Sequence, residues 1–206
     1  MKNTGPSSQR RHGFTMLEIL LALALLGAVV VKVHGVMSLA SRNTSQQTAE
    51  IVLEDQARRV LRQIGYAIMG SNRESLAPDA AAPMSTEDLR YQINLGIENG
   101  EVVWSDPEQV ALETDDLQIY WSQNPGVAAE RRVVWTSLVA PYLEGEIPNG
   151  MDDNGNGLID ERGLSFVVDG NSVRIRITLE RARDGQEPLI RTVETTVTCR
   201  NLGDGA

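Results

Sequence analysis

Cysteine is almost missing. Cys199 is the only one in 206 residues, so no disulfide can form within the chain. In an exported protein such a thiol pairs between molecules or stays free. Here it ends an alternating run, Val193-Glu194-Thr195-Thr196-Val197-Thr198-Cys199, which predicts a buried strand position. Histidine is as scarce, with His12 and His34 alone. Beyond residue 34 there is no imidazole for a Ser-His-Asp triad, a Cys-His pair or a histidine-ligated metal. Basic residues are outnumbered, 19 Lys and Arg against 28 Asp and Glu, for a net charge of −9. Nucleic-acid affinity comes mainly from neutralising phosphates, so this balance argues against a nucleic-acid partner and against a role in DNA uptake. It fits a soluble, non-sticky surface. Aromatic residues make up 4% of the chain. Trp104, Trp121 and Trp135 each fall on a strand-like segment, where core packing is expected ahead of a sugar-binding platform. The acid pairs Asp115-Asp116 and Glu144/Glu146 have no supporting motif and read as solvated surface. No enzymatic activity is expected.

What the chain does have is one long apolar run. From Ile19 to Val31 there is no charged residue, and from Phe14 to Val31 the only charge is Glu18. As a helix that stretch would be about 27 Å long, close to the thickness of a bilayer's hydrocarbon core. Lys2, Arg10 and Arg11 precede it with no acid among them. That asymmetry should hold the N-terminus in the cytoplasm and send the rest outward. A secretory signal peptide would have the same outline. However, no small-x-small cleavage site follows; the run passes through Val31-Lys32-Val33-His34-Gly35 and becomes amphipathic. Glu18 also lies inside the apolar segment, where a carboxylate costs about 3 kcal/mol unless it finds a partner. A plain membrane anchor leaves that acid equally unexplained.

Gly13-Phe14-Thr15-Met16-Leu17-Glu18, behind a basic leader and ahead of the apolar run, resembles the type III signal sequence of type IV pilins and type II secretion pseudopilins. The resemblance implies that a prepilin peptidase cuts between Gly13 and Phe14 on the cytoplasmic side. Phe14 is then N-methylated, and Glu18 becomes the fifth residue of the mature chain. It implies further that Glu18 pairs with the N-terminal ammonium of a neighbouring subunit during assembly. Two opposite charges in an apolar helix bundle are tolerable only as a pair, which agrees.

Four segments are expected: a cleaved leader, 1–13; a transmembrane and filament-core helix, 14–34; the amphipathic second half of that helix, 35–70; and a β-rich globular region, 71–206. Lys32 and His34 should mark the outer membrane face. Gly27, Gly35 and 41–45 are points where the helix is expected to bend or loosen. Leu53, Ala57, Val60, Leu61, Ile64 and Ile68 form one stripe at helical spacing, with Glu54, Arg58, Arg59 and Arg62 off it. The Ala- and Pro-rich stretch 71–88 reads as a surface loop. Strands are expected at 89–95 and 102–104, joined by an Asn99-Gly100 turn, then at 116–121, 131–136, 164–168, 172–180 and 189–200. Val173, Ile175, Ile177 and Leu179 should share a buried face, with Arg174, Arg176 and Thr178 on a wet one. The fold class is α+β: a long N-terminal helix packed on an antiparallel β-sheet, as the resemblance also implies.

One local motif stands apart. In Asp152-Asp153-Asn154-Gly155-Asn156-Gly157-Leu158-Ile159-Asp160-Glu161, the calcium-loop pattern D-x-[DN]-x-[DN]-G places Asp152, Asn154 and Asn156 at positions 1, 3 and 5. Gly157 is the turn glycine, Leu158 offers its carbonyl, Ile159 is the apolar anchor, and Asp160 contacts the ion directly or through water. The pattern fails at position 12, where Gly163 replaces the bidentate Glu. Glu161 can substitute only if the exit is not a helix. Oxygen ligands of this kind favour Ca²⁺. The alternative is an Asx-rich turn that needs no metal.

Taken together, the residues lead to a structural subunit, most similar by the resemblance to the larger minor pseudopilins of type II secretion, such as the J-type. The region beyond the helix is large for a small major pseudopilin, lacks a disulfide and is acidic. Its expected partners are prepilin peptidase, other pilin or pseudopilin subunits and the inner membrane. Its expected place is a single span with the globular region periplasmic, then the tip of a filament. A type IV pilus minor pilin acting in priming or adhesion stays open, as does an uncleaved, membrane-anchored calcium-binding protein.

Overall fold

The computed structural model describes residues 15–183 and 185–200. Among these residues the first element is a long helix, α1 (Met16–Met69); a short 3-10 turn (Arg73–Ser75) and nine strands follow. The chain divides into two compact units, one ending at Thr48 and one beginning at Ala49. The residues of α1 from Ala49 onward fall in the unit that holds the strands.

The first unit is helix alone. Met16, Leu17, Leu20, Leu23, Leu26, Val30 and Val36 are all exposed in the lone chain. An apolar surface of that extent requires lipid or other subunits around it. The helix is long and apolar enough to cross a membrane. It stays helical through Gly27, Gly35 and 41–45, contrary to the loosening expected there. Thr44 and Thr48 donate their hydroxyls to the carbonyls four residues earlier, at 2.9 and 2.8 Å.

In the second unit, each residue of the expected stripe, Leu53, Ala57, Val60, Leu61, Ile64 and Ile68, is buried. They join one core with residues of β1 (Asp88–Tyr91), β4 (Glu108–Glu113), β5 (Gln118–Gln123), β7 (Leu164–Asp169) and β8 (Ser172–Arg183). The opposite face carries the ion pairs Glu54–Arg58 and Asp55–Arg59, each one helical turn apart. Two polar contacts fix the helix on the strands. Gln56 donates to the Thr136 hydroxyl at 2.8 Å, and Arg191 meets Glu50 at 3.0 Å.

The strands form three antiparallel sheets rather than one: β1-β4-β5-β6, the hairpin β2-β3, and β7-β8-β9. β6 is Arg131–Thr136; the hairpin pairs Asn94–Glu98 with Glu101–Trp104 across the expected turn; β9 is Gln186–Thr198. The single strand expected at 89–95 is two, because the chain leaves one sheet at Tyr91 and enters the hairpin at Asn94. β4 was not visible in the sequence. It is central, buried along four successive residues, and so lacks alternation. Nor is 71–88 simply a loop. Its residues bridge Ala77 to Arg90 and Thr86 to Phe166, and Leu76 is buried.

Val173, Ile175, Ile177 and Leu179 are fully buried, as their alternation requires. Thr178, expected on the wet face, is buried as well; its hydroxyl pairs with that of Thr192 on β9 at 2.9 Å. Trp121 and Trp135 pack half-buried against the core, and Trp104 is half-buried on the hairpin. Cys199 is buried just past β9, with its sulfur 3.8 Å from the Ser71 hydroxyl. A thiol so placed is a packing residue in the folded chain.

Candidate functional site

Two places carry the residues singled out in the sequence. The first is the start of α1. Gly13 and Phe14 lie outside the described residues. Glu18 is exposed and engaged locally: Thr15 N–H donates to its carboxylate at 3.4 Å, and its own N–H donates to the Thr15 hydroxyl at 3.3 Å. This is a reciprocal capping box, which satisfies two of the donors that a helix start leaves open. Its sequence signal is the capping-box spacing Thr15-x-x-Glu18. It gives Glu18 a local partner that a plain anchor could also use.

The second place is the acid- and amide-rich loop. It is closed at its base by a short antiparallel stem. Leu143 N–H donates to the Glu161 carbonyl at 3.0 Å, Gly163 N–H donates to the Pro141 carbonyl at 3.3 Å, and Tyr142 pairs with Arg162. The Arg162 guanidinium lies over the Tyr142 ring, 4.5 Å from its centre. Gly163 leads straight into β7, so there is no exit helix. A Cβ on Gly163 would stand 1.9 Å from the Ala140 carbonyl oxygen. No side chain fits there, which is the physical reason that the twelfth position of the motif holds no glutamate.

Inside the loop, Asp152 gathers three main-chain N–H groups. Its Oδ1 accepts from Gly155 at 2.7 Å and Asn156 at 3.1 Å, and its Oδ2 accepts from Gly157 at 2.8 Å. The Asn154 and Asn156 side-chain oxygens each accept from the N–H two residues on, at 3.0 and 2.9 Å. Gly157 makes the sharp turn at a positive φ of 88°. Asp160 accepts from Asn149 and Gly150 across the loop. The buried anchor is the Leu158 side chain, 1% exposed, in place of the expected Ile159, which is half-buried.

Glu161 is 0% exposed. One of its oxygens meets Arg176 at 2.8 Å and the other accepts from the Asn156 amide at 2.7 Å. Arg176 also reaches Glu194 on β9. Burial alone would lower the Arg176 pKa; the hydrogen bonds it donates to Glu194 and then to Glu161 outweigh it and raise it. Glu161 is thus locked into a β8 and β9 ion network.

Glu146 corrects another expectation. Expected on the solvated surface, it is 8% exposed. Its Oε1 accepts from the Asn154 N–H at 3.2 Å, while Oε2 is buried with no hydrogen-bond partner. Burial raises its pKa most; the Asn154 bond lowers it, and Glu161, Asp152 and Asp153 add to the rise. No sequence signal marked Glu146, because its role depends on a fold-back from outside the motif. Among the described residues, no three His, Cys, Asp or Glu side chains converge as a metal group. An ion here would draw on amide and main-chain oxygens as much as on carboxylates.

Residues 8–31 match the family model described as the prokaryotic N-terminal methylation motif. No curated protein and no solved structure matches the chain. The matched stretch covers Gly13, Phe14 and Glu18 and the apolar run as far as Val31. The chain thus carries the prepilin-type methylation motif found in type IV pilin-like and pseudopilin subunits, at the head of a helix able to span a membrane and ahead of an α+β unit.

Proposed function

We propose that this chain is a structural subunit of a pilin-like filament, processed by prepilin peptidase between Gly13 and Phe14 and N-methylated on Phe14. The observation that carries this reading is the methylation motif at 8–31 continuous with an apolar helix. The chain waits in the inner membrane as a single span, N-terminus in the cytoplasm and β-rich unit outside. Cleavage frees the helix to leave lipid for a bundle of like helices, where its exposed apolar side chains find new cover. Glu18 guides docking by pairing with the N-terminal ammonium of a neighbour. The chain's work is assembly, with no reaction of its own.

Within that class, we propose a minor pseudopilin of a type II secretion system, similar to the J-type and seated near the filament tip. The support is the size of the unit beyond α1, its acidity and its lack of a disulfide. Deletion of the gene in its host tests the placement. The secretion reading expects exported proteins to accumulate in the periplasm while surface pili and twitching stay normal. Loss of pili with secretion intact would favour a type IV pilus minor pilin. No change in either would contradict both.

A further inference from the structure

We propose that the 146–158 region is a Ca²⁺ site in which Glu146, from the chain entering the loop, supplies the carboxylate that the sequence motif lacks. The loop offers Asp152, Asn154 and Asn156 side-chain oxygens and the Leu158 carbonyl. Each asparagine oxygen accepts one N–H and keeps a second lone pair, and Asp152 Oδ2 likewise accepts only one. None of this requires an ion, because such loops form Asx turns unaided.

The observation that points to a ligand is Glu146. Its carboxylate is folded under the loop and anchored through Oε1 to the Asn154 N–H, with Oε2 buried and unpartnered. Its immediate electrostatic neighbours Glu161, Asp152 and Asp153 are all acids. Carboxylates are buried unpaired only at high cost, and a cation removes both the orphan oxygen and the like-charge crowding. Glu161 differs from Glu146 in already having a cationic partner, Arg176, and an amide partner, Asn156, so its charge is balanced without a metal. Position 12 is closed by the Ala140 carbonyl against Gly163. Asp160 accepts from the Asn149 and Gly150 N–H groups and Asp153 from the Asn149 amide, whereas Glu146 keeps a buried oxygen without a partner.

The donor set decides the ion. It is all oxygen, with no imidazole or thiol, and comes from an irregular loop that does not impose strict octahedral geometry, so Ca²⁺ is preferred over Zn²⁺ and Mg²⁺. Two carboxylates and three neutral donors give a weakly charged site, with affinity in the range of about 10⁻⁴–10⁻³ M that extracellular modules show. The inference stands whether or not the chain assembles into a filament.

The test is calcium titration of the full chain in detergent micelles, by calorimetry and by melting temperature. Ca²⁺ at saturating concentration should raise Tm by about 5 °C or more, and Mg²⁺ should not. Glu146→Gln keeps the acceptor for Asn154 and removes the charge. It should weaken Ca²⁺ binding at least about tenfold while the metal-free Tm stays equal or rises. Asp152→Asn, on the exposed side of the loop, should weaken binding similarly; Asp169→Asn, in the β7–β8 turn, should leave it unchanged. No calcium-dependent heat or Tm shift in the parent chain would overturn the proposal, as would an equal response to Mg²⁺. So would binding by Glu146→Gln as tight as the parent's.

Discussion

Glu18→Gln should abolish incorporation into filaments and leave the melting temperature of the 49–206 unit unchanged. In an apolar bundle, a subunit whose acid is gone leaves its neighbour's N-terminal ammonium without a partner. Breaking a buried pair on one side costs about 3–5 kcal/mol, enough to shift the assembly equilibrium by roughly two to nearly four orders of magnitude. Glutamine is chosen because it preserves the other role of Glu18. It can still accept from the Thr15 N–H in the capping box, so the helix start is kept and only the charge is lost. The measurement is the fraction of subunit in sheared, pelleted filaments, with circular dichroism for the fold. Normal assembly by Glu18→Gln would mean that Glu18 serves as a helix cap alone. In that case Glu18→Ala would cost only about 1 kcal/mol of local helix stability.

Arg176→Met should destabilise the β-rich unit by about 3–5 kcal/mol, lowering Tm by about 10 °C. The Arg176 side chain is 12% exposed and that of Glu161 0%. Removing the guanidinium leaves Glu161 charged in the interior with only the Asn156 amide for company. The double variant Arg176→Met/Glu161→Gln should recover most of the loss, because the charge that needed a partner has gone too. Glu194→Gln should cost under about 1 kcal/mol, since its carboxylate is half-exposed and screened by water. Denaturant melts of the four proteins check this. A single variant within about 1 kcal/mol of the parent would show that Glu161 draws its stabilisation from elsewhere.

The helix and the last sheet were legible because both repeat. The stripe from Leu53 to Ile68 has the helical period, and Val173 to Leu179 has the strand period; every one of those side chains is buried. What repeats least was missed. β4 shows no alternation because it is buried along its length between β1 and β5. The division into three sheets depends on pairings such as Asp88 with Ala111, where β1 passes over the hairpin to meet β4. At the loop, the motif named Asp152, Asn154 and Asn156 and flagged the defect at Gly163. The cause of the defect, the close approach of the Ala140 carbonyl, exists only in three dimensions. The same holds for Glu146, which the stem at 141–143 and 161–163 brings under the loop, and for Glu161, which the strand register delivers to Arg176. At the N-terminus the balance was reversed: the motif was legible through its resemblance to type III signal sequences, and the structure added the Thr15–Glu18 cap.

The account depends most on the fate of the Gly13-Phe14 bond. Intact mass and N-terminal sequence of the membrane-extracted chain, from cells with and without prepilin peptidase, measure it directly. The expected result is a chain beginning at N-methyl-Phe14 when the peptidase is present and retaining residues 1–13 when it is absent. A chain that keeps residues 1–13 in both would contradict the filament reading and leave an uncleaved, membrane-anchored calcium-binding protein in its place.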